Sequence, residues 1–323
     1  MGGKGSYASP MQERAAPGRV DAVSEYREPE QLAVPVRGGN LAVLHWAADV
    51  PGAPVVVLVH GITGNGMIWA RVAGQLGGAY DVIAPDLRGR AGSAGLPGPY
   101  GIEGHAEDVL GLLDRLGVGR AVLAGHSMGG FVVAMAAAGL ARDRVKGLVL
   151  VDGGLEFAQP PDVDVDVDAQ LAAVLGPALD RLSMTFADLA AVREFWTRHP
   201  AVGPWVDVPS VAAYLARDIV GGPPHLHSAC VPEAVRVDGG DFLTSARVLE
   251  ATGHLPVRST LLWAPRGLQD QVPGIYDEAR LATLGLAAAG ITAREVPETN
   301  HYSILWADQG VVAISEEIRA AAG

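Results

Sequence analysis

Apolar positions along this chain change their spacing repeatedly, and each change marks an element. Leu32 to Val36 and Leu41 to Trp46 are apolar-rich runs on either side of Arg37-Gly38-Gly39-Asn40. The Gly-Gly-Asn group supplies positive φ, so the two runs read as a hairpin. Val55 to Val59 is continuous and Val-rich, as expected of a strand covered on both faces. Trp69 to Leu76 reads as a helix and Tyr80 to Pro85 as a second buried strand. Ile102 to Leu116 repeats at helical spacing, with Ala106, Val109, Leu110, Leu113 and Leu116 on one side. Ala121 to Ala124 is a third strand, Phe131 to Leu140 the helix after it, and Gly147 to Val151 a fourth strand. This alternation predicts an α/β fold: a mostly parallel sheet with helices on both faces.

The regularity stops after Asp152. Residues 153–254 hold several prolines, an acidic run and most of the large aromatics: Phe157, Phe186, Phe195, Trp196, Trp205, Tyr214 and Phe242. The stretch reads as an inserted, largely helical cap. The sheet then resumes with Ser259 to Trp263, a helix from about Tyr276 to Ala289, a strand from Thr292 to Val296, and a last helix from Gly310 to Ala321. Residues 1–30 lack apolar periodicity and read as a flexible arm or loosely docked lead-in. The expected organisation is therefore an arm at 1–30, a core at 31–152 and 255–323, and a cap at 153–254.

Composition narrows the class. The chain of 323 residues is 49% hydrophobic and 19% charged, with a mean hydropathy of +0.22. That is a globular composition with enough length for a large core. The formal charge of −12 and pI near 5.1 argue against nucleic acid and anionic membrane surfaces as partners. A single cysteine, Cys230, allows neither an intrachain disulfide nor a thiolate zinc site, and it reads as a small packed side chain. The N-terminus has no apolar stretch of the secretory kind, so the expected location is cytoplasmic. Asp162, Asp164, Asp166 and Asp168 alternate as in a calcium loop. The positions that an EF-hand gives to Gly and Glu hold Val167 and Ala173, so the run reads as a solvated loop. No metal and no cofactor is expected.

The strongest chemical signal is Gly125-His126-Ser127-Met128-Gly129, directly after a strand and before an apolar helix. A G-x-S-x-G turn at that junction strains the serine backbone and projects its hydroxyl at the carboxyl edge of the sheet. The helix N-terminus points its positive end at the same place. A serine hydroxyl is a weak nucleophile and needs an adjacent base. Among nine histidines the best candidate is His301, which follows the last predicted strand. His126 sits inside the turn and is expected to point away from the serine. His60 is expected to pin a loop, and His45, His105 and His199 to be surface or structural. His60-Gly61-Ile62-Thr63-Gly64 follows the first buried strand, and backbone amides there can face an oxyanion. The expected donors are the amides of Ile62 and Met128.

With these residues in place, the sequence resembles the α/β-hydrolase superfamily over residues 32–320. The resemblance rests on four motifs in order. They are His60-Gly61, Pro85-Asp86-Leu87-Arg88-Gly89-Arg90-Ala91-Gly92-Ser93, Gly125-His126-Ser127-Met128-Gly129-Gly130, and Asn300-His301. It implies a sheet of about eight strands, a cap over its carboxyl edge, and acyl-enzyme chemistry without a cofactor. Asp86 and Arg88 would brace loops. Members with an aspartate in the turn are dehalogenases and epoxide hydrolases, and Ser127 argues against those activities here. Two carboxylates compete to orient His301. Asp152 ends the strand before the cap and is the first candidate. Asp270 is the alternative, after the strand where this fold usually carries its acid, though its loop from Ala264 is longer than usual.

The expected reaction is hydrolysis of a carboxylic ester or lactone of a medium-sized apolar substrate, with Trp196, Trp205 and Tyr214 as candidate walls of the pocket. Cleavage of a C–C bond or a thioester by the same triad, and a ligand-binding protein that turns over slowly, are the alternatives. A monomer and a homodimer fit equally well.

Overall fold

The computed structural model describes residues 26–140, 142–156, 166–253, 255 and 257–323. Most of the expected arm, together with Phe157, Asp162, Asp164 and His254, lies outside those residues. At the start of the described chain, the Trp46 indole N–H donates to the Arg27 carbonyl at 2.7 Å.

β1 (Glu30–Val36) and β2 (Gly39–Trp46) pair antiparallel, with Val36 opposite Gly39. The connection is thus Arg37-Gly38, and Gly38 takes the left-handed φ of +86° that a tight hairpin needs. β3 (Val55–Val59) leads through a short 3₁₀ turn into α1 (Ala70–Leu76), and then come β4 (Asp81–Pro85) and α2 (Ile102–Arg115). β5 (Ala121–His126) runs into α3 (Met128–Met135), which relaxes into a π turn before β6 (Val145–Val151). After β6 the chain forms α4 (Val167–Leu175), α5 (Pro177–Asp180), α6 (Leu189–Thr197) and α7 (Pro209–Arg217). A small ribbon of β7 (Ile219–Val220) and β8 (His227–Ser228) precedes α8 (Pro232–Thr244) and α9 (Ala246–Gly253). The core resumes with β9 (Ser259–Trp263), α10 (Glu278–Thr283), β10 (Ile291–Glu295) and α11 (Asp308–Ala322).

Eight strands form one sheet in the order β1-β2-β4-β3-β5-β6-β9-β10. Only β1–β2 and β2–β4 are antiparallel. Every residue of β5 and β9 is buried, which is why those strands read as unbroken apolar runs. α1 packs on α11 and α2 on α3 along the sheet. Among the described residues no helix is long and apolar enough to cross a membrane.

Two elements differ from expectation. The buried side of α2 is Ile102, His105, Ala106, Asp108, Val109, Leu112 and Leu113, whereas Leu110 is half-buried and Leu116 exposed. The face is rotated because two of its members, His105 and Asp108, are polar residues with buried partners. Asp108 takes two bonds from Arg88, at 2.9 and 2.7 Å, and His105 meets Asp238 at 2.9 Å. The helix expected over 276–289 is shorter. Asp277 caps its start by accepting from the Arg280 amide, and Gly285 at φ +60° follows its end.

The segment between β6 and β9 is tied to the core by ion pairs. Arg217 on α7 grips Asp86 at 2.7 Å, and Asp238 on α8 meets Arg90 at 2.5 Å. Arg181 donates to the Thr63 carbonyl at 2.7 Å. Asp86 and Arg88 therefore brace loops. Asp166 caps α4 and Asp168 pairs with exposed Arg236, so the described part of the acidic run is occupied in capping and surface pairing.

Candidate active site

Ser127 stands between β5 and α3 at φ 54°, ψ −123°. A side chain rarely adopts such a backbone, and the surroundings impose it. A Cβ on Gly125 would lie 2.2 Å from the Gly129 carbonyl oxygen, and one on Gly129 the same distance from that of Val59. Only hydrogen fits at either place, so strand and helix close tightly around the serine. The loop after β6 also presses on it: a Cβ on Gly153 would come within 2.3 Å of the Ser127 carbonyl oxygen.

His301 is buried, and its Nδ1–H donates to Asp152 Oδ2 at 2.6 Å. The other Asp152 oxygen accepts from the Ala264 amide at 3.1 Å. This carboxylate is wholly buried and sits at φ 45° on the residue that follows β6. Asp270 does not meet His301. Its oxygens take Arg266 at 2.9 Å and Asn300 Nδ2 at 3.1 Å. Asn300 in turn accepts from the amides of Tyr302 and Ser303 through Oδ1, so Asp270 braces the turn that carries the histidine. Between the two expected acids, the geometry brings Asp152 to the imidazole.

His126 departs from expectation. It does not turn away from the reaction centre: its ring lies 4.5 Å from that of His301, and its Nε2–H donates to the His301 carbonyl at 2.8 Å. Burial, and next the neighbouring His301, hold its pKa well below the usual imidazole value. His60 pins its loop as expected. Its Nδ1–H donates to the Gly61 carbonyl at 2.7 Å and its Nε2 accepts from the Leu87 amide at 2.9 Å. Burial lowers its pKa to about 3, against the opposing effect of the Gly61 bond.

The loop after β3 passes directly over the serine. A Cβ on Gly61 would sit 3.5 Å from Ser127 Oγ. Arg90 fixes the next peptide by donating to the Ile62 carbonyl at 2.9 Å, and Asn65 Nδ2 donates to the Tyr214 carbonyl at 3.0 Å. Met128, the other expected oxyanion donor, is the first residue of α3 and is buried.

Two cavities meet at Ser127. One of about 630 Å³ is walled by Leu171, Phe242, Leu243 and Ile275, with Gln170 and Arg280 also at its surface. The other, about 20 Å³, has His301, His126, Tyr302, Tyr214 and Ile68 in its wall. Ile62, Leu175 and Leu268 border both. Tyr214 thus lies in the wall of the smaller cavity. Trp196 and Trp205 line neither cavity. Trp196 packs against Phe195 and His199 with the Arg181 guanidinium 5.5 Å above its ring, and Trp205 sits 6.4 Å from Trp306. Large apolar side chains in this segment make its own core, and the amino-acid type alone does not separate that role from pocket lining. Tyr302 and Phe242 were missed as wall residues, although Tyr302 is the residue next to His301.

A family model for the alpha/beta hydrolase fold matches residues 54–191. Lipase LipV of Mycobacterium tuberculosis is 35% identical over 183 residues, which are 56% of this chain and 63% of that protein. A putative carbamate hydrolase, RutD, of Klebsiella pneumoniae is 38% identical over 123 residues, 37% of this chain and 43% of that protein. These matches thus span between two-fifths and two-thirds of the curated relatives. The crystal structure of E-2-(acetamidomethylene)succinate hydrolase superposes with a TM-score of 0.71, covering 90% of this chain and 99% of that one at 20% identity. At that identity the likeness speaks for the fold alone.

Proposed function

We propose that this chain is a serine hydrolase of the α/β-hydrolase superfamily, acting on a carboxylic ester or lactone of a medium-sized apolar substrate, a reading supported by the family-model match over residues 54–191 and by the geometry at Ser127. One observation carries the reading. His301 borders the cavity that Ser127 enters, while its far nitrogen is held at 2.6 Å by a buried carboxylate.

Asp152 fixes the imidazole with Nδ1 protonated, which leaves Nε2 as the base. Nε2 takes the Ser127 proton as Oγ attacks the carbonyl carbon. The amides of Ile62 and Met128 stabilise the oxyanion. His301 then protonates the leaving alcohol and later activates water to release the acid and restore the serine. The apolar walls of the larger cavity suit an apolar acyl or lactone body. α4 and α8, which supply Leu171, Phe242 and Leu243 to its wall, act as the cap over this space. The names of relatives, a lipase and a putative carbamate hydrolase, are compatible with acyl transfer to serine and leave the substrate open.

The test is covalent and kinetic. A fluorophosphonate should add its mass less HF to the peptide containing Ser127, and short-chain esters and lactones should be hydrolysed. Ser127→Ala should take no label and lose at least about 10³-fold in kcat with an unchanged circular dichroism spectrum. A folded Ser127→Ala protein that hydrolyses as fast as wild type sinks the reading.

A further inference from the structure

We propose that this hydrolase selects a bulky acyl group joined to a leaving group of one or two heavy atoms, methanol being the ester case. The inference rests on the serine-hydrolase reading and deepens it.

An ester bound at Ser127 extends two arms from its carbonyl carbon, and here the two spaces available differ in volume by more than an order of magnitude. The larger holds about 630 Å³ and the smaller about 20 Å³. The choice of arm for each space follows from proton transfer. The leaving oxygen must come within hydrogen-bond reach of the imidazole that protonates it. His301 is in the wall of the small space and not in that of the large one. The leaving group therefore occupies the small space, and the acyl body extends past Leu171 and Phe242 into the large one.

The small space is not free to grow. Ile68 is 2% exposed, and Leu175, Tyr214 and Tyr302 are each below a tenth. The backbone of Tyr214 is tied by its carbonyl to Asn65 of the oxyanion loop. The Tyr302 ring stacks on Trp306 at 5.9 Å, and Trp306 is itself buried. Enlarging this corner means repacking both the loop and the histidine turn. A volume of this size holds about one water, so the water that hydrolyses the acyl-enzyme fits where the alcohol has left.

The chemistry balances without a co-reactant beyond water. The Ser127 proton passes to His301 as Oγ bonds to the carbonyl carbon. The C–OCH₃ bond breaks, and His301 returns the proton to give methanol. Water then adds to the acyl carbon, giving one proton to His301. The acyl–Oγ bond breaks, and that proton restores the serine as the acid leaves.

The experiment compares methyl, ethyl and n-butyl octanoate, with octyl acetate as the reversed arrangement, on wild-type protein that a long-chain fluorophosphonate has been found to label at Ser127. Fluoride, the leaving group of that probe, fits the small space. The expected result is a kcat/KM for methyl octanoate at least about tenfold above that for the n-butyl ester, the scale on which a tight pocket rejects added methylenes. Octyl acetate should be poorer still. Ile68→Ala should narrow the methyl-to-butyl ratio. Equal rates for methyl and butyl esters, or faster cleavage of octyl acetate, overturn the proposal while leaving Ser127 as the nucleophile. Failure to label Ser127 removes the serine-hydrolase reading and this proposal with it. The wild-type series decides even if Ile68→Ala does not fold.

Discussion

Two aspartates stand near the histidine turn, both at left-handed φ, 45° for Asp152 and 59° for Asp270, yet only one carboxylate touches the ring. Asp152→Asn keeps an oxygen for the Ala264 amide but replaces the charge that holds Nδ1–H. The expected cost is about 10³–10⁴-fold in kcat, the scale of losing the imidazole's tautomer and its counter-charge. Asp270→Asn keeps an acceptor for Asn300 and should cost less than about tenfold. Comparable losses in the two variants, measured by steady-state kinetics on folded protein, would overturn the assignment of roles. At this scale the sequence was legible where a residue's task is written into its immediate neighbours. Ser127 stands two residues from a glycine on each side, Gly125 and Gly129, at a strand–helix junction, and His301 follows the last strand. It was illegible where a task depends on approach through space. Both aspartates follow a strand of the same sheet, and only the folded chain decides which reaches the imidazole. The same limit applies to Trp196 and Trp205, whose composition suits a pocket wall and an aromatic core equally.

At the scale of elements, the turn around Ser127 depends on backbone meeting backbone, and that makes a sharp prediction. Gly129→Ala would drive a methyl to within 2.2 Å of the Val59 carbonyl, with no flexible side chain able to give way. The expected loss is about 4 kcal/mol, at the upper end for single substitutions. It would be read as a fall in the urea midpoint or as failure to accumulate folded protein. Gly139→Ala, with open space at its Cβ, should stay within about 1 kcal/mol of wild type. A Gly129→Ala protein as stable as wild type would mean that β3 and α3 do not approach as described. Strands buried on both faces announced themselves as apolar runs, and their ends were placed within a few residues. The helix expected over 276–289 was overextended because Leu284 and Ala287 to Ala289 suit a helix, while Gly285 at φ +60° follows its end. The buried face of α2 was misread for another reason. His105 and Asp108 go inside because Asp238 and Arg88 meet them there, and His105 and Asp238 lie 133 positions apart in the chain. Periodicity counts apolar residues and is blind to such pairs.

For the whole molecule, buried imidazoles set how stability responds to acid. His60 and His126 are enclosed and bonded as neutral rings. Burial lowers the first to about 3, and burial with the His301 neighbour lowers the second well below its ordinary value. In the unfolded chain both titrate near the usual value of about 6.5. Below that pH the unfolded state binds protons that the fold refuses, so acid favours unfolding. For His60 the loss begins near pH 6.5 and continues until the folded ring titrates at about 3. Each such ring contributes a slope of about 1.4 kcal/mol per pH unit within its window. Asp238 acts in a lower range. Burial alone would raise its pKa, but the charges of Arg90 and His105 outweigh that and hold it well below the usual carboxylate value. Its contribution is therefore present above about pH 4 and is lost only as the pH falls further. Between pH 6.5 and about 5 the histidines should dominate, and urea midpoints should fall steadily with acidification. His60→Gln should be less stable at pH 7 yet show a slope shallower by about one proton. A wild-type stability that is flat from pH 7 to 5 would mean that these rings accept protons inside the fold, and that their neutral packing around the serine loop is not what holds it.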